Sequence, residues 1–294
     1  MNNINKTIKE NEFKLFFFIT LTSLIILFLG YLISDILGLG TAGIMVSVII
    51  AIGTNFISYF FSKDMVLKSQ KAIPMSKEAY PEYYSMVQQL CEQNNILLPE
   101  LYYIESPALN AFATGRNQKN AAVVVTSGLL KQVPLDEISG IVGHELSHIL
   151  HKDIMVMSFI TTLVGCMSIF ASSLRNASTY NRYDRNNNNN GSSLAIIVGA
   201  VAAIIAPFAA MLIQMAVSRS REYMADATGG LICGNPKLLA KALYRISHGG
   251  SEMPTANSAV APLYISNPLK NNFITNLFST HPNIDDRIKR LNEM

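Results

Sequence analysis

The chain has 294 residues, enough for one large domain or two small ones with a substantial core. Half of the residues are hydrophobic, 15% are charged and the mean hydropathy is +0.27, a composition typical of a membrane protein. The formal net charge is only +3 and the basic residues are spread along the chain, so we expect no nucleic-acid partner. The three cysteines are far apart and lack CxxC spacing, so nothing requires an oxidising compartment.

Four uncharged apolar segments are each long enough to cross a bilayer as a helix. Residues 15–34 have twenty positions without a charge, and at about 1.5 Å per residue they span a hydrocarbon core of about 30 Å. This segment is too long for the apolar part of a signal peptide. Residues 42–62 follow a glycine-rich turn, which predicts an N-terminal hairpin. Residues 154–174 and 194–218 predict a second membrane hairpin.

Basic residues near the segment ends predict the orientation, because cytoplasmic flanks carry the excess of Lys and Arg. The side that we assign to the cytoplasm has ten such residues: Lys6, Lys9, Lys14, Lys63, Lys68, Lys71, Lys77, Lys152, Arg219 and Arg221. The opposite side has Arg175, Arg182 and Arg185. The predicted parts are a transmembrane hairpin (1–62), a cytoplasmic region (63–153), a second membrane hairpin (154–218) and a second cytoplasmic region (219–294). The three opposing arginines leave open that the second hairpin is only partly buried in the membrane.

Residues 134–152 carry a zinc-binding pattern on a predicted helix. The segment begins with proline and acidic residues, and apolar residues follow at helical spacing. His144 and His148 are four residues apart, so both imidazoles point from one face with the separation that one zinc ion requires. Glu145 lies beside them, where it can accept a proton from a zinc-activated water and pass it to a leaving amine. A chance HExxH occurs in roughly one chain in a hundred of this length, so a third ligand is needed.

A catalytic zinc site takes three protein ligands and leaves the fourth position to water. The candidates for the third ligand are a downstream carboxylate, His151, His248 and His281. His151 lies seven residues beyond His144, about 10 Å along a helix axis, which is too far for one ion to contact all three histidines. We interpret His151 as a surface or membrane-edge residue.

Glu222 is the better candidate. It lies just after the fourth apolar segment, and Asp226 follows four residues later on the same predicted helix. Asp226 could accept the second ring N–H of a ligand histidine and fix its tautomer. An antiparallel hairpin over 154–218 returns the chain to the membrane face that it left, which brings Glu222 near His148. Without the histidine motif, the two carboxylates would indicate an ordinary solvated helix face.

The apolar N-terminal hairpin, GHELSH, the membrane hairpin directly after it and SREYMAD together resemble the HtpX family of bacterial membrane zinc metallopeptidases over nearly the whole chain. This family is similar in its core to the CaaX prenyl endopeptidases, and its zinc site resembles that of thermolysin. The resemblance implies a multi-pass endopeptidase of the bacterial inner membrane, with one Zn2+ per chain and a site facing the cytoplasm. It also implies a role in stress response, with misfolded or damaged membrane proteins as substrates and the lipid bilayer as its setting.

Two further stretches match motifs of that family. Asn110, Ala111 and Phe112 resemble its Asn-Ala-Phe element, which implies that Asn110 binds the substrate backbone; the alternative is a turn residue. The stretch STHPNIDDRIKRL resembles its His-Pro segment, which makes His281 and Arg287 candidates for stabilising the oxyanion. The alternatives there are a helix cap and a surface ion pair.

The expected fold is a mainly α membrane protein with four transmembrane helices and an α-rich, gluzincin-like catalytic domain that contains a small β-sheet. The sheet is expected near 101–126 and another helix at 78–95. Residues 121–126 read as a strand, and an edge strand could hold an extended substrate by backbone hydrogen bonds; the strand could equally be structural.

Two rival functions differ in what they require. An intramembrane protease of the site-2 type would carry HExxH inside a membrane helix, whereas here Glu137, Lys152 and Asp153 flank the motif and no LDG element follows. A noncatalytic zinc-containing membrane scaffold or chaperone would need the ligands but not Glu145. Substitution of Glu145 therefore separates the scaffold from the peptidase.

Overall fold

The computed structural model describes residues 2–183, 207–216, 218–249, 253, 256, 259–269 and 282–294. The helices in this part of the chain are α1 (Asn2–Leu37), α2 (Gly40–Phe60), α3 (Ser62–Ser69), α4 (Pro81–Gln93), α5 (Ser127–Gln132), α6 (Leu135–Leu150), α7 (Asp153–Tyr183), α8 (207–216), α9 (Arg219–Ile232), α10 (Pro236–Gly249) and α11 (Ile284–Asn292). The strands are β1 (Ile73–Pro74), β2 (Glu100–Ile104), β3 (Ala111–Gly115) and β4 (Ala121–Thr126). Short 3-10 turns cover Gln118–Asn120 and Ala261–Leu263.

The N-terminal hairpin consists of α1 and α2. Ile4–Ile36 and Gly40–Phe60 are each long and apolar enough to cross a membrane, which confirms the prediction of two apolar helices here. Gly38 and Gly40 form the turn with φ of 67° and 54°, a left-handed conformation that glycine adopts without steric cost. The outer faces expose large apolar side chains, among them Phe13, Phe16, Leu24, Phe28, Ile49 and Ile52.

The second predicted hairpin is described only in part. Within the described residues, α1 and α2 are the two helices that are each long and apolar enough to cross a membrane. The pair α6 and α7, bent by 85°, would make a third span if it crossed the membrane as one unit. The fourth predicted segment lies largely outside the described residues, and only its end is described, as α8. The first two of the four expected membrane helices are therefore the ones found by this test.

The sheet has the strand order β1-β2-β4-β3 and mixed topology. β2 runs parallel to β4, whereas β3 pairs with β4 antiparallel, with Ala111 opposite Val125 and Gly115 opposite Ala121. The strand predicted at 121–126 is confirmed, but its placement at an edge is wrong, because β4 lies between β2 and β3. All six of its residues are buried, as is typical of a continuous apolar run in a central strand. β3 and β1 are the two edge strands.

The region that follows the N-terminal hairpin packs around α6. All but four of its sixteen residues are buried, and it contacts α9, α10 and the edge strand β3. Its bounds confirm the helix predicted at 134–152, and α4 confirms the helix predicted at 78–95. A separate apolar cluster joins α1 to α7 and α8 through Leu15, Phe18, Val156, Phe159 and Leu212. The N-terminal hairpin therefore docks on the region that follows α6.

Candidate metal centre

α6 presents the two motif histidines to one cavity and then turns sharply. Lys152 has φ of 58°, a left-handed conformation that is uncommon for a residue with a side chain, and α7 leaves at 85° to α6. This turn places Asp153, the first residue of α7, beside His148. The break in the helix therefore supplies a contact that a straight helix could not make.

α9 approaches α6 closely because both helices have glycine at the crossing. An ideal Cβ on Gly229 would lie 2.6 Å from the backbone nitrogen of His144, and one on Gly143 would lie 2.6 Å from the Gly229 carbonyl oxygen. Real Cβ atoms do not approach backbone this closely. Glu222, Asp226 and Gly229 lie on one face of α9, at helical spacings of four and three. The glycine contact thus brings both carboxylates of α9 to the histidines.

The facing nitrogen and oxygen atoms fit a single zinc ion. The Nε2 atoms of His144 and His148 are 3.2 Å apart, and carboxylate oxygens of Glu222 lie 3.8 Å and 3.7 Å from them. Tetrahedral ligands bound at about 2.0–2.2 Å from zinc are separated by roughly 3.3–3.6 Å. The observed separations are close to these values, and all three ligand atoms lie within 4.8 Å of one another.

A carboxylate lies against the Nδ1 atom of each of these two histidines. Oδ1 of Asp226 lies 3.0 Å from Nδ1 of His144, and Oδ2 of Asp153 lies 2.9 Å from Nδ1 of His148. A carboxylate in this position accepts the Nδ1–H and leaves Nε2 free to bind a metal. The sequence indicated Asp226 for this arrangement, whereas Asp153 was read only as a charge flanking the motif.

Arg287 lies behind His144 and not in the cavity. Its side chain is 0% exposed and holds Asp226 by two hydrogen bonds, at 2.8 Å from Nε and 2.6 Å from Nη2. Nη1 lies 3.9 Å from Glu222. The surface ion pair with Asp285 or Glu293 that the sequence left open is wrong, because α11 buries this face. The geometry favours a role in orienting the ligands over contact with an oxyanion. His281 lies outside the described residues.

The site shifts the ionisation of its own groups. Burial lowers the pKa of His144 to about 4, which favours the neutral imidazole that a metal binds. Burial opposes the charged form of His148 as well, but Asp153 and Glu222 raise its pKa to about 9. Burial, with the charge of Glu222, raises the pKa of Glu145 to about 7, offset in part by His148 and by a backbone hydrogen bond from Ala113. A pKa near neutrality suits a general base, and positive charge at the metal position would lower it again.

The cavity beside the ligands is small. Its volume is about 40 Å³, and Ala113, Glu145, Pro262 and Leu263 are among the residues that line it. This space holds a water molecule but not a peptide. Pro262 and Leu263 thus lie beside the candidate ligands.

Asn110 binds a backbone segment of its own chain. Its Nδ2 donates to the Ser266 carbonyl at 2.8 Å, and its Oδ1 accepts from the Ser266 N–H at 3.3 Å. The neighbouring Ile265 N–H donates to the Ala111 carbonyl of β3 at 2.9 Å. Asn110 thus lies next to β3, and its amide pairs with the backbone of Ser266.

The other two histidines that the structure describes are not brought to the centre. His151 is 0% exposed, so its interpretation as a surface residue is wrong, while a place at the membrane edge stays a prediction. α1 covers it, and within the described residues neither ring nitrogen has a hydrogen-bond partner. His248 is exposed and stacks on Tyr244, away from the cavity. These positions agree with Glu222 as the third ligand candidate.

Known proteins resemble this chain in sequence and in structure. A family model described as Peptidase family M48 matches residues 80–294, which include α6, α9 and α11 but not the N-terminal hairpin. Among solved structures, the crystal structure of S. mikatae Ste24p is 19% identical, with a TM-score of 0.48, and the match covers 95% of this chain and 67% of that chain.

Proposed function

We propose that this chain, which belongs to peptidase family M48 and is a zinc metallopeptidase, is an endopeptidase of the bacterial inner membrane that degrades misfolded or damaged membrane proteins. One observation carries the proposal. His144, His148 and Glu222 converge from two helices with the spacing of a zinc site, and Glu145 lines the same cavity. The apolar N-terminal hairpin supports the membrane setting.

In the proposed reaction, His144, His148 and Glu222 would hold one Zn2+, which would supply Lewis acidity toward water and the scissile carbonyl. Glu145 accepts the proton of the attacking water and returns it to the leaving amine. Asp226 holds the ring of His144 in the orientation that a ligand needs. No covalent bond forms between substrate and protein.

The edge strand β3 is the proposed binding surface for an extended substrate. Its Ala113 lines the cavity, and the Ala111 carbonyl already accepts a hydrogen bond from outside the sheet, from the Ile265 N–H. An extended peptide makes hydrogen bonds of the same kind when it adds to a sheet edge, with Asn110 as a second backbone contact.

The proposed topology has four crossings, with both termini and the metal centre on the cytoplasmic side. The two apolar helices support it. So do the basic residues that flank the segments, of which ten lie on the side assigned to the cytoplasm and three on the opposite side. The first helix of the second hairpin, α7, is 31 residues long and starts directly beside the metal centre. This arrangement would set the site at the membrane surface, within reach of membrane-protein segments that emerge from the bilayer.

Substitution of Glu145 by Gln tests the reaction. We expect cleavage of unfolded casein by the detergent-purified protein to fall about 10²–10⁴-fold, the contribution of a general base, while zinc content persists. Glu137→Gln is a matched control on the same helix, because Glu137 pairs with Arg245 away from the cavity. Cleavage by the Glu145→Gln protein at the wild-type rate would contradict the mechanism. Equal performance of both proteins in a membrane assay, without cleavage, would favour the scaffold.

The substrate class needs a separate test in cells. We expect a destabilised membrane-protein reporter to accumulate when Glu145→Gln replaces the wild type, while a destabilised soluble reporter is degraded as before. Equal accumulation of both reporters would contradict the preference for membrane proteins and would leave the peptidase activity intact.

A further inference from the structure

Asn11 connects the N-terminal membrane helix to the metal centre. It lies on α1, outside the residues that the family model matches, and it is 1% exposed. We propose that Asn11 is a positioning residue: through Asp153 it fixes the ring of the ligand His148, so that α1 forms part of the metal centre. This inference rests on the proposed function, since it assumes that His148 binds zinc.

The connection runs through one carboxylate. Asn11 Nδ2 donates to Oδ1 of Asp153 at 2.8 Å, and the other oxygen, Oδ2, lies 2.9 Å from Nδ1 of His148. Asp153 is itself almost fully buried, so its orientation depends on these partners more than on water. A rotation of the carboxylate that breaks one contact also disturbs the other. Asn11 thus limits the directions in which the His148 ring can point.

A second set of contacts ties Asn11 to the helix of the third ligand. Asn11 Oδ1 accepts from Nη1 of Arg221 at 3.2 Å, and Arg221 directly precedes the ligand Glu222. Arg221 Nη1 also lies 3.7 Å from Asp153. Asn11 Nδ2 makes one more bond, to the His151 carbonyl at the end of α6, at 2.9 Å. One amide therefore joins the end of α6, the start of α7 and the start of α9.

The chemistry of an amide is needed at this position. Asp153 requires a donor and Arg221 requires an acceptor, and only an amide of this size offers both from one planar group. Aspartate in place of Asn11 would keep the shape and the Arg221 contact, but it would set a second carboxylate against Asp153 without a proton to share. Asn11→Asp therefore removes both donated hydrogen bonds, to Asp153 and to the His151 carbonyl, with little change in packing.

The docking of α1 does not depend on Asn11. Leu15 and Phe18 are buried against α7, and Glu12 pairs with Lys152 at 2.6 Å. A variant at Asn11 should therefore keep the helix in place while it changes the metal centre. The alternative is that Asn11 merely joins the membrane helix to the rest of the protein, as Asn55 joins α1 to α2.

Asn55→Ala is the matched control for this alternative. Asn55 is a buried asparagine of the same hairpin, bonded to Thr22 and Ser23 at 3.0 Å each, and its contacts do not include the metal ligands or their carboxylate partners. A general loss of hairpin stability affects both variants. A change in the metal centre affects only the variants at Asn11.

The test uses the full-length protein in detergent and measures metal binding without substrate. The zinc dissociation constant is measured by competition with a chelator, and the Co2+-loaded protein is examined by visible absorption. We expect Asn11→Asp and Asn11→Ala to weaken zinc binding roughly tenfold, the low end of the 10–100-fold seen for partners of metal ligands, and to alter the Co2+ bands. The double variant Asn11→Asp/Asp153→Asn exchanges donor and acceptor and should recover part of the loss. Asn55→Ala should leave both metal readouts at wild-type values.

Two results would overturn the inference: wild-type zinc affinity and Co2+ bands in both Asn11 variants, or an equal loss of affinity in Asn55→Ala. A wild type that binds no zinc would overturn the proposed function together with the inference. A wild type that binds zinc but cleaves no peptide would overturn the endopeptidase alone, and the metal constants would still decide the role of Asn11.

Discussion

The helix pairs α1/α2 and α6/α9 both bury polar side chains, and they differ in the kind of group that they bury. Between α1 and α2, Asn55 bonds to the neutral hydroxyls of Thr22 and Ser23, in a hairpin whose outer faces are apolar. Between α6 and α9, the buried groups are ionisable and form successive layers, as in His144, Asp226 and Arg287. Neutral hydrogen bonds join the helices of the hairpin, whereas at the metal centre a carboxylate orients His144 and a buried guanidinium supports that carboxylate in turn.

The two pairs also differ in how closely their backbones approach. α6 and α9 pack glycine against backbone at Gly143 and Gly229. In the hairpin, Gly30 and Gly43 pack against serine side chains, and Gly53 of α2 has no atom within 4 Å of an added Cβ. The catalytic pair should therefore be intolerant of a methyl group that position 53 of the hairpin accepts. Four substitutions test how the two helix pairs differ, in order of decreasing expected effect.

Removal of the third ligand should have the largest effect. Glu222→Ala leaves two histidines and no protein oxygen at the centre, so we expect zinc binding to weaken by more than about 100-fold, beyond the loss caused by an outer partner. Zinc content after dialysis and cleavage of casein measure the effect. Glu82→Ala, an exposed position on α4, is the control. Retention of a full zinc complement by Glu222→Ala would exclude Glu222 as a ligand.

Arg287→Met should destabilise the catalytic pair by about 3–5 kcal/mol, because it leaves the buried carboxylate of Asp226 without its cation. Chemical unfolding followed by circular dichroism measures the change. Arg290→Met on the same helix is the control: Arg290 lies on the ring of Tyr223 at an exposed position, and its loss should cost less than about 1 kcal/mol. Equal losses of stability in the two variants would mean that the buried Arg287–Asp226 pair stabilises the protein no more than the exposed contact of Arg290 does.

Gly229→Ala should cost about 1–3 kcal/mol and also weaken zinc binding, because the new methyl group forces α9 away from the backbone of His144. Gly53→Ala in the hairpin should be neutral or slightly stabilising, since its methyl group meets open space and alanine favours a helix. Thermal unfolding and zinc affinity are measured for both. Unchanged zinc affinity in Gly229→Ala would show that the close approach of the helices does not position Glu222.

Asn55→Ala should have the smallest effect. Interhelical hydrogen bonds within membranes contribute about 0.6 kcal/mol on average, so we expect a loss of this order in hairpin stability and no change in zinc content. Unfolding in detergent measures the loss. Loss of zinc from the Asn55→Ala protein would contradict the separation between the two helix pairs.

The sequence predicted what depends on local spacing. The positions of His144 and His148 follow from four-residue spacing on one helix, and α1 and α2 follow from long uncharged runs. Glu222 required a topological step, the return of the chain after the second apolar hairpin. The structure places it with the histidines although part of that hairpin lies outside the described residues.

What the sequence did not predict depends on contacts between distant segments. Asn11 and Asp153 are 142 positions apart, and nothing local to either indicates the hydrogen bond between them. The burial of His151 arises because α1 covers the end of α6, and the interior place of β4 arises because β3 folds back beyond it. A helix was predicted over 134–152, but not the sharp turn at its end that brings Asp153 to His148.

X-ray absorption at the zinc edge of the purified full-length protein tests directly whether His144, His148 and Glu222 bind one zinc ion. Our account predicts one zinc per chain with two imidazole nitrogens and carboxylate oxygen at about 2.0–2.2 Å, and a changed spectrum with loss of metal in Glu222→Ala. A sulfur neighbour at about 2.3 Å, or a spectrum that Glu222→Ala leaves unaltered, would contradict it.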